Sequence, residues 1–137
     1  MNHHLEFIKS VWIENEQIFN IHLLNVEGIG DILEVYIENL SFVAYIDQLS
    51  QKLGQITVLI TPFGDIPEQI QDLVFKEVIE IYQDDDLIKP KKTSDGIVLT
   101  IKVLFEIEEQ LHPQVADYLL FQALLAITKS KEIVEMQ

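Results

Sequence analysis

The side chains that could do chemistry in this sequence are few in kind. Glu109-x-x-His112 has the spacing at which a carboxylate and an imidazole on adjacent helical turns reach one metal in di-iron bundles. Pro113, however, biases His112 away from helical geometry, no second Glu-x-x-His exists, and His3, His4 and His22 lie near the other end of the chain. His112 therefore reads as a helix-capping or loop histidine. Asp84-Asp85-Asp86 offers carboxylate oxygens to a hard cation, but it lacks the alternating acids and the closing Glu of an EF-hand loop. Gly28-Ile29-Gly30 is a truncated echo of Gly-x-Gly-x-x-Gly with Leu33 in place of the third Gly, so it reads as a turn rather than a nucleotide loop. Carboxylate pairs such as Glu108-Glu109 become acid–base catalysts only in a cleft that shifts their pKa values. No nucleophile-elbow, zincin or Walker pattern is present, and with no Cys a thiolate zinc site, an iron–sulfur cluster, a cysteine nucleophile and a disulfide scaffold are excluded. The expectation is a protein that is not an enzyme and holds neither metal nor cofactor.

What the sequence has in abundance is negative charge. Its 137 residues carry 23 Asp and Glu against 9 basic residues, a formal net charge of −14. All nine basic residues are Lys, so the chain lacks the guanidinium fork that reads guanine or clamps phosphate. That argues against direct nucleic-acid binding. The acids are unevenly placed: residues 10–51 hold seven and no Lys, and residues 65–86 hold eight against Lys76 alone. Such a field keeps a protein soluble, and it also attracts and orients a basic partner. Aromatic residues lie among these acids, and aromatic anchors ringed by carboxylates suit an interface for a basic protein. The candidate partner-binding residues are Glu68, Asp72, Glu80, Asp84, Asp85 and Asp86, with Glu34, Glu38, Trp12 and Tyr36.

The elements that must position these residues follow from periodicity. Residues 5–13 alternate loosely and, with a second β-like run over 18–26, read as an opening β-hairpin. Residues 32–53 read as helix, with Gly54 as its cap and a strand over 32–38 as the alternative. Residues 55–61 form a short strand closed by Pro62-Phe63-Gly64, and Asp65 and Pro67 open an amphipathic helix with the stripe Ile66, Ile70, Leu73, Val74, Val78 and Ile81. On that helix Glu68, Asp72 and Glu80 fall on the side away from the stripe. Residues 84–96 read as an exposed loop ending in Ser94-Asp95-Gly96. Residues 97–107 are the clearest strand, with Ile97, Leu99, Ile101, Val103, Phe105 and Ile107 on one face. Pro113 starts a final helix whose Leu119, Leu120, Ala123, Leu124 and Ile127 mark it as the central core helix. The order is β-β-α-β-α-β-α over residues 1–137: one α+β domain, a small sheet packed on helices with a buried C-terminal helix, in which a right-handed crossover could join the two later strands.

The longest strongly apolar stretch, residues 118–127, is about half of the ~20 residues a membrane helix needs, and no secretory signal opens the chain. A soluble cytoplasmic protein is expected. In size and charge, though in no motif, the chain is similar to toxin-immunity, anti-restriction and anti-CRISPR proteins. That likeness points to an inhibitor or antidote that occludes a basic site on a partner such as a nuclease toxin or another nucleic-acid-handling protein. The alternatives are a binding or chaperone module of a secretion or regulatory system, and a small enzyme using carboxylates.

Overall fold

Apolar residues at every second position, from Ile18 onward, build strands that pair into one antiparallel six-stranded sheet in the computed structural model, which describes residues 2–38, 40–60, 66–94, 96–106 and 109–136. In chain order the elements are α1 (Asn2–Trp12), β1 (Ile18–Val26), β2 (Gly30–Ile37), β3 (Leu40–Gln48), β4 (Leu53–Ile60), α2 (Glu68–Tyr82), β5 (Ile88–Lys92), β6 (Ile97–Glu106) and α3 (Pro113–Glu135). The strands lie in the order β1-β2-β3-β4-β6-β5. All three helices cover one face: α1 packs over β1 and β2, α2 over β5, and α3 over the centre, touching both other helices. Leu33, Val35, Phe42, Val58, Leu99 and Ile101 line that covered face and are buried against Ala116, Leu119, Ala123 and Ala126 of α3. The α+β class and the buried C-terminal helix are as expected; the element order is not.

Residues 5–12 belong to helix α1 and Ile13 to the turn after it, not to a strand. Leu5, Ile8 and Trp12 are buried and Phe7 and Val11 half-buried, a stripe of helical spacing. The alternation of Leu5, Phe7, Val11 and Ile13 fails because it turns Ile8 and Trp12 outward and buries Ile13, which is exposed. Residues 32–53 are not helix but β2, β3 and the start of β4 with their turns, so the alternative of a strand over 32–38 is the one found. Leu33, Val35 and Ile37 of β2 and Leu40, Phe42 and Ala44 of β3 pair across one hairpin, and β3 pairs again with β4. A helical stripe through Leu33, Ile37, Leu40 and Ala44 competes with this, and the β-branched and aromatic residues settle for the arrangement that gives the backbone partners on both sides. Ile37 faces Leu40 across the hairpin, and Asn39 lies outside the described residues. Gly54 caps no helix; it lies in β4 opposite Gln48. The turn over 27–29 is as read: Gly28 has φ +84° and Gly30 φ +106°, conformations that residues with a Cβ rarely adopt.

The loop expected over 84–96 contains the edge strand β5, which tolerates Pro90 because an edge position needs fewer ladder donors. β4 and β6 are antiparallel neighbours, so no crossover joins them; α2 instead connects β4 to β5, which run parallel with β6 between them. Pro67 sits just before α2 rather than inside its first turn. The buried stripe of α2 is Val74, Val78 and Tyr82, whereas Leu73 is 38% exposed and shares the outer face with the acids. On α3, Leu124 is only half-buried. The turns at 62–64 and at Asp95, the Asp65 cap, the Val103, Phe105 and Ile107 side chains and Glu108 lie outside what is described.

Tyr82 ties α2 to α3. Its hydroxyl donates to the Gln122 carbonyl at 3.0 Å, and burial, then the Tyr118 phenol and the Asp85 carboxylate, push its pKa well above the ordinary 10.0. Folding therefore favours the neutral phenol. That contribution is complete below pH 10.0 and is lost as pH rises from there through the folded value. Unfolding measured by urea titration should show stability falling in alkali, and Tyr82→Phe should flatten that fall while costing about 1 kcal/mol at neutral pH. An unchanged alkaline profile in the variant would assign the fall to other groups.

Candidate protein-binding surfaces

The acidic residues singled out in the sequence fall in three separate places. Glu68, Asp72 and Glu80 stand on the exposed face of α2 around Lys76, with the side chains of Leu73 and Ile79 among them. Asp72 is not simply part of a solvated field, since Lys92 Nζ of β5 donates to its carboxylate at 2.6 Å. Asp84 and Asp86 are exposed beyond the helix, while Asp85 accepts the Leu87 backbone N–H at 2.7 Å and turns the chain into β5. The same Asp85 carboxylate adds to burial in raising the Tyr118 phenol.

Glu34 and Tyr36 form the second place, on the face of the sheet that no helix covers. The Tyr36 hydroxyl donates to the Glu34 carboxylate, a bond that, ahead of burial and the carboxylate's charge, raises the phenol pKa. The ring stands edge-on to His22 at 5.4 Å, and His22 Nε2 lies 2.9 Å from Asn20 Nδ2. Further along this face Thr57 Oγ1 donates to Asp47 at 2.5 Å. Tyr45 beside it is raised by burial and by Asp47, against a lowering bond with Thr57.

The third place holds Glu38 and is the most apolar. A cleft of about 370 Å³ runs between the start of β1, the β2–β3 turn and α3, lined by Glu16, Phe19, Ile37, Glu38, Leu40, Leu124, Ile127 and Lys131. It shares Gln17, Leu124 and Thr128 with a neighbouring cleft of about 550 Å³ lined by Asp117, Leu120, Phe121 and Leu125. Phe19 is 67% exposed and Phe121 60% exposed, large rings to leave in water. Phe19 is there because the β1–β2 register shifts between Ile18 and Asn20, so it is an extra residue on the bulged strand and is aimed away from the ladder. α3 supplies Phe121 because it is apolar nearly all round while its neighbours cover one side. No α2 residue lines either cleft.

Trp12 belongs to none of these. It is fully buried, its indole N–H donating to the Ala116 carbonyl at 2.7 Å and its ring 5.7 Å from that of Phe42, so it is withdrawn as a contact residue. Its placement on an outward strand face followed from the strand reading of 5–13 and falls with it. Phe19, Phe121, Leu124 and Leu125 are what the sequence reading missed; the only local signal was a final helix with more apolar surface than one core face needs.

His112 caps α3, its Nδ1 accepting the Gln114 backbone N–H at 3.2 Å, with Pro113 at the first helical position. Among the described residues no three His, Asp or Glu side chains are grouped to hold a metal ion. No helix among them is long and apolar enough to cross a membrane. Comparison with known protein families, with curated proteins and with solved structures finds no match for the chain.

Proposed function

We propose that this chain is a small acidic protein-binding inhibitor or antidote, of the toxin-immunity or anti-defence kind, which acts in the cytoplasm without catalysis by occluding a basic site on a partner protein. The observation that carries the reading is the double cleft beside α3. There Phe19 and Phe121 stand exposed with Glu16, Glu38 and Asp117 around them. A basic segment with an apolar anchor would bury the rings and meet the carboxylates, so burial supplies affinity. The acids of α2, away from the cleft, contribute to the long-range field that speeds encounter.

Native pull-down with mass spectrometry identifies the partner, and its association rate then tests the reading. The rate should fall about tenfold as salt is raised and the screening length drops below roughly 8 Å. Joint reversal of Glu68, Asp72 and Glu80 to Lys should slow association without changing dissociation, at a stability cost of at most about 1 kcal/mol from the lost Asp72–Lys92 pair. An on-rate indifferent to both salt and reversal refutes the electrostatic part.

The open cleft also favours a second reading, a binding or chaperone module that holds a basic amphipathic segment for a secretion or regulatory system. An inhibitor abolishes its partner's activity at one chain per partner, whereas a chaperone leaves the folded partner active.

A further inference from the structure

The face of the sheet turned away from the helices carries an ordered row of charges. Reading across the ladder, His22 pairs with Glu34, Glu34 with Val43, Val43 with Leu59, Leu59 with Val98, and Val98 with Lys91. One lateral row therefore has a carboxylate near one edge, an ammonium at the other and three half-buried aliphatic residues between them. The next row runs from Tyr45 through Thr57 and Thr100 to Lys89. Among the described side chains at strand positions of this face, Glu34, Asp47 and, at the end of β6, Glu106 stand with Lys89 and Lys91. In a chain of net charge −14, this face mixes both signs, whereas the outer face of α2 carries Glu68, Asp72 and Glu80 around Lys76 alone.

We propose that this open face is a self-association surface, on which a second copy of the chain packs sheet to sheet about a two-fold axis parallel to the strands. The charges select that axis. A two-fold along the strands, passing over β4, keeps each lateral row in register and reverses its order, so Glu34 of each copy comes beside Lys91 of the other while Leu59 meets Leu59 at the centre and Val43 meets Val98. A two-fold across the strands would lay Glu34 over Glu34 and Lys91 over Lys91, which like-charge repulsion disfavours. The area suffices. The five strands from β2 to β5 that overlap, at ~4.8 Å spacing and paired lengths of about 17–25 Å, give a plane of roughly 400–600 Å². Side-chain relief brings that near the ~800 Å² per partner of a standard interface. Aligned sheets of this kind stack about 10 Å apart. The α3 clefts and α2 lie on the far layer of each copy, so the pair would present two partner sites outward and gain avidity for a repeated or dimeric partner.

Sedimentation equilibrium of the full chain, without any partner, tests this independently of the inhibitor reading. A dimer is expected at about 100 μM chain, with a dissociation constant in the micromolar range. Leu59→Lys should yield a monomer with unchanged far-ultraviolet circular dichroism. Glu34→Lys and Lys91→Glu should each weaken the dimer at least about fivefold, and the double variant should recover most of the loss, because the two pairs are then merely exchanged. A wild-type monomer at that concentration overturns the proposal and leaves the face to a different protein. So does a dimer that survives Leu59→Lys. Single charge variants that weaken the dimer without rescue in the double overturn the two-fold parallel to the strands.

Discussion

Replacing Trp12 by Ala should remove about 3–5 kcal/mol of folding stability, the range for truncating a buried aromatic ring. The side chain is fully enclosed between α1, α3 and Phe42 of β3. It is also the fastening of α1: the indole N–H reaches the Ala116 carbonyl in the first turns of α3, 104 residues away in sequence. Alanine would leave a cavity between helix and sheet and return that carbonyl to its intrahelical partner alone. A domain of this size is held by about 5–15 kcal/mol, so the loss is a large share of the whole and the melting temperature should fall by about 10–20 °C. Trp12→Phe should lose less, about 1–2 kcal/mol, since it keeps the ring against Phe42 and forfeits the hydrogen bond. Because Trp12 is the chain's one tryptophan, the measurement should be urea unfolding followed by far-ultraviolet circular dichroism. A loss below about 1 kcal/mol for the alanine variant would mean that α1 contributes little to the fold and that Trp12 is free to act elsewhere.

Substituting Phe19 or Phe121 by Ser should weaken partner binding by at least about tenfold each, or roughly 1.4 kcal/mol, through faster dissociation. The rings are too exposed for their removal to cost much stability, so the melting temperature should stay within a degree or two. That combination separates them from Trp12. It also separates them from the acids of α2, whose reversal acts on association instead. Should both Phe variants bind as tightly as the parent, the clefts are not the contact, and the open sheet face or α2 becomes the place to look.

The sequence by itself determined the parts of this protein that are governed by local pattern. α3 was legible because Pro113 opens it and Leu119, Leu120, Ala123 and Ile127 recur at helical spacing, and His112 was legible as a cap for the same reason. The Gly28 turn and the core alternation of Ile97, Leu99 and Ile101 were equally local. The absence of Arg and Cys, and the acid runs, are composition and needed no fold. Tertiary structure decided whatever depends on a neighbour. Residues 32–53 have both a two-residue and a 3.6-residue apolar period, and only the presence of β1 and β4 on either side gives the strand form backbone partners across both its edges. Residues 5–13 carry the same ambiguity with the opposite outcome: the neighbouring β1 is an edge strand, yet the sheet face beneath α1 needs Leu5, Ile8 and Trp12 as cover, and only a helix brings all three onto it. The surfaces follow from the same rule. Phe19 is exposed because a register shift makes it an extra residue, and Leu73 because Val74, Val78 and Tyr82 already fill the contact with the core. Glu34 and Lys91 share a row only because three other strands set the distance between them. Periodicity is a property of a segment, whereas register and exposure belong to the pairings between segments far apart in the chain.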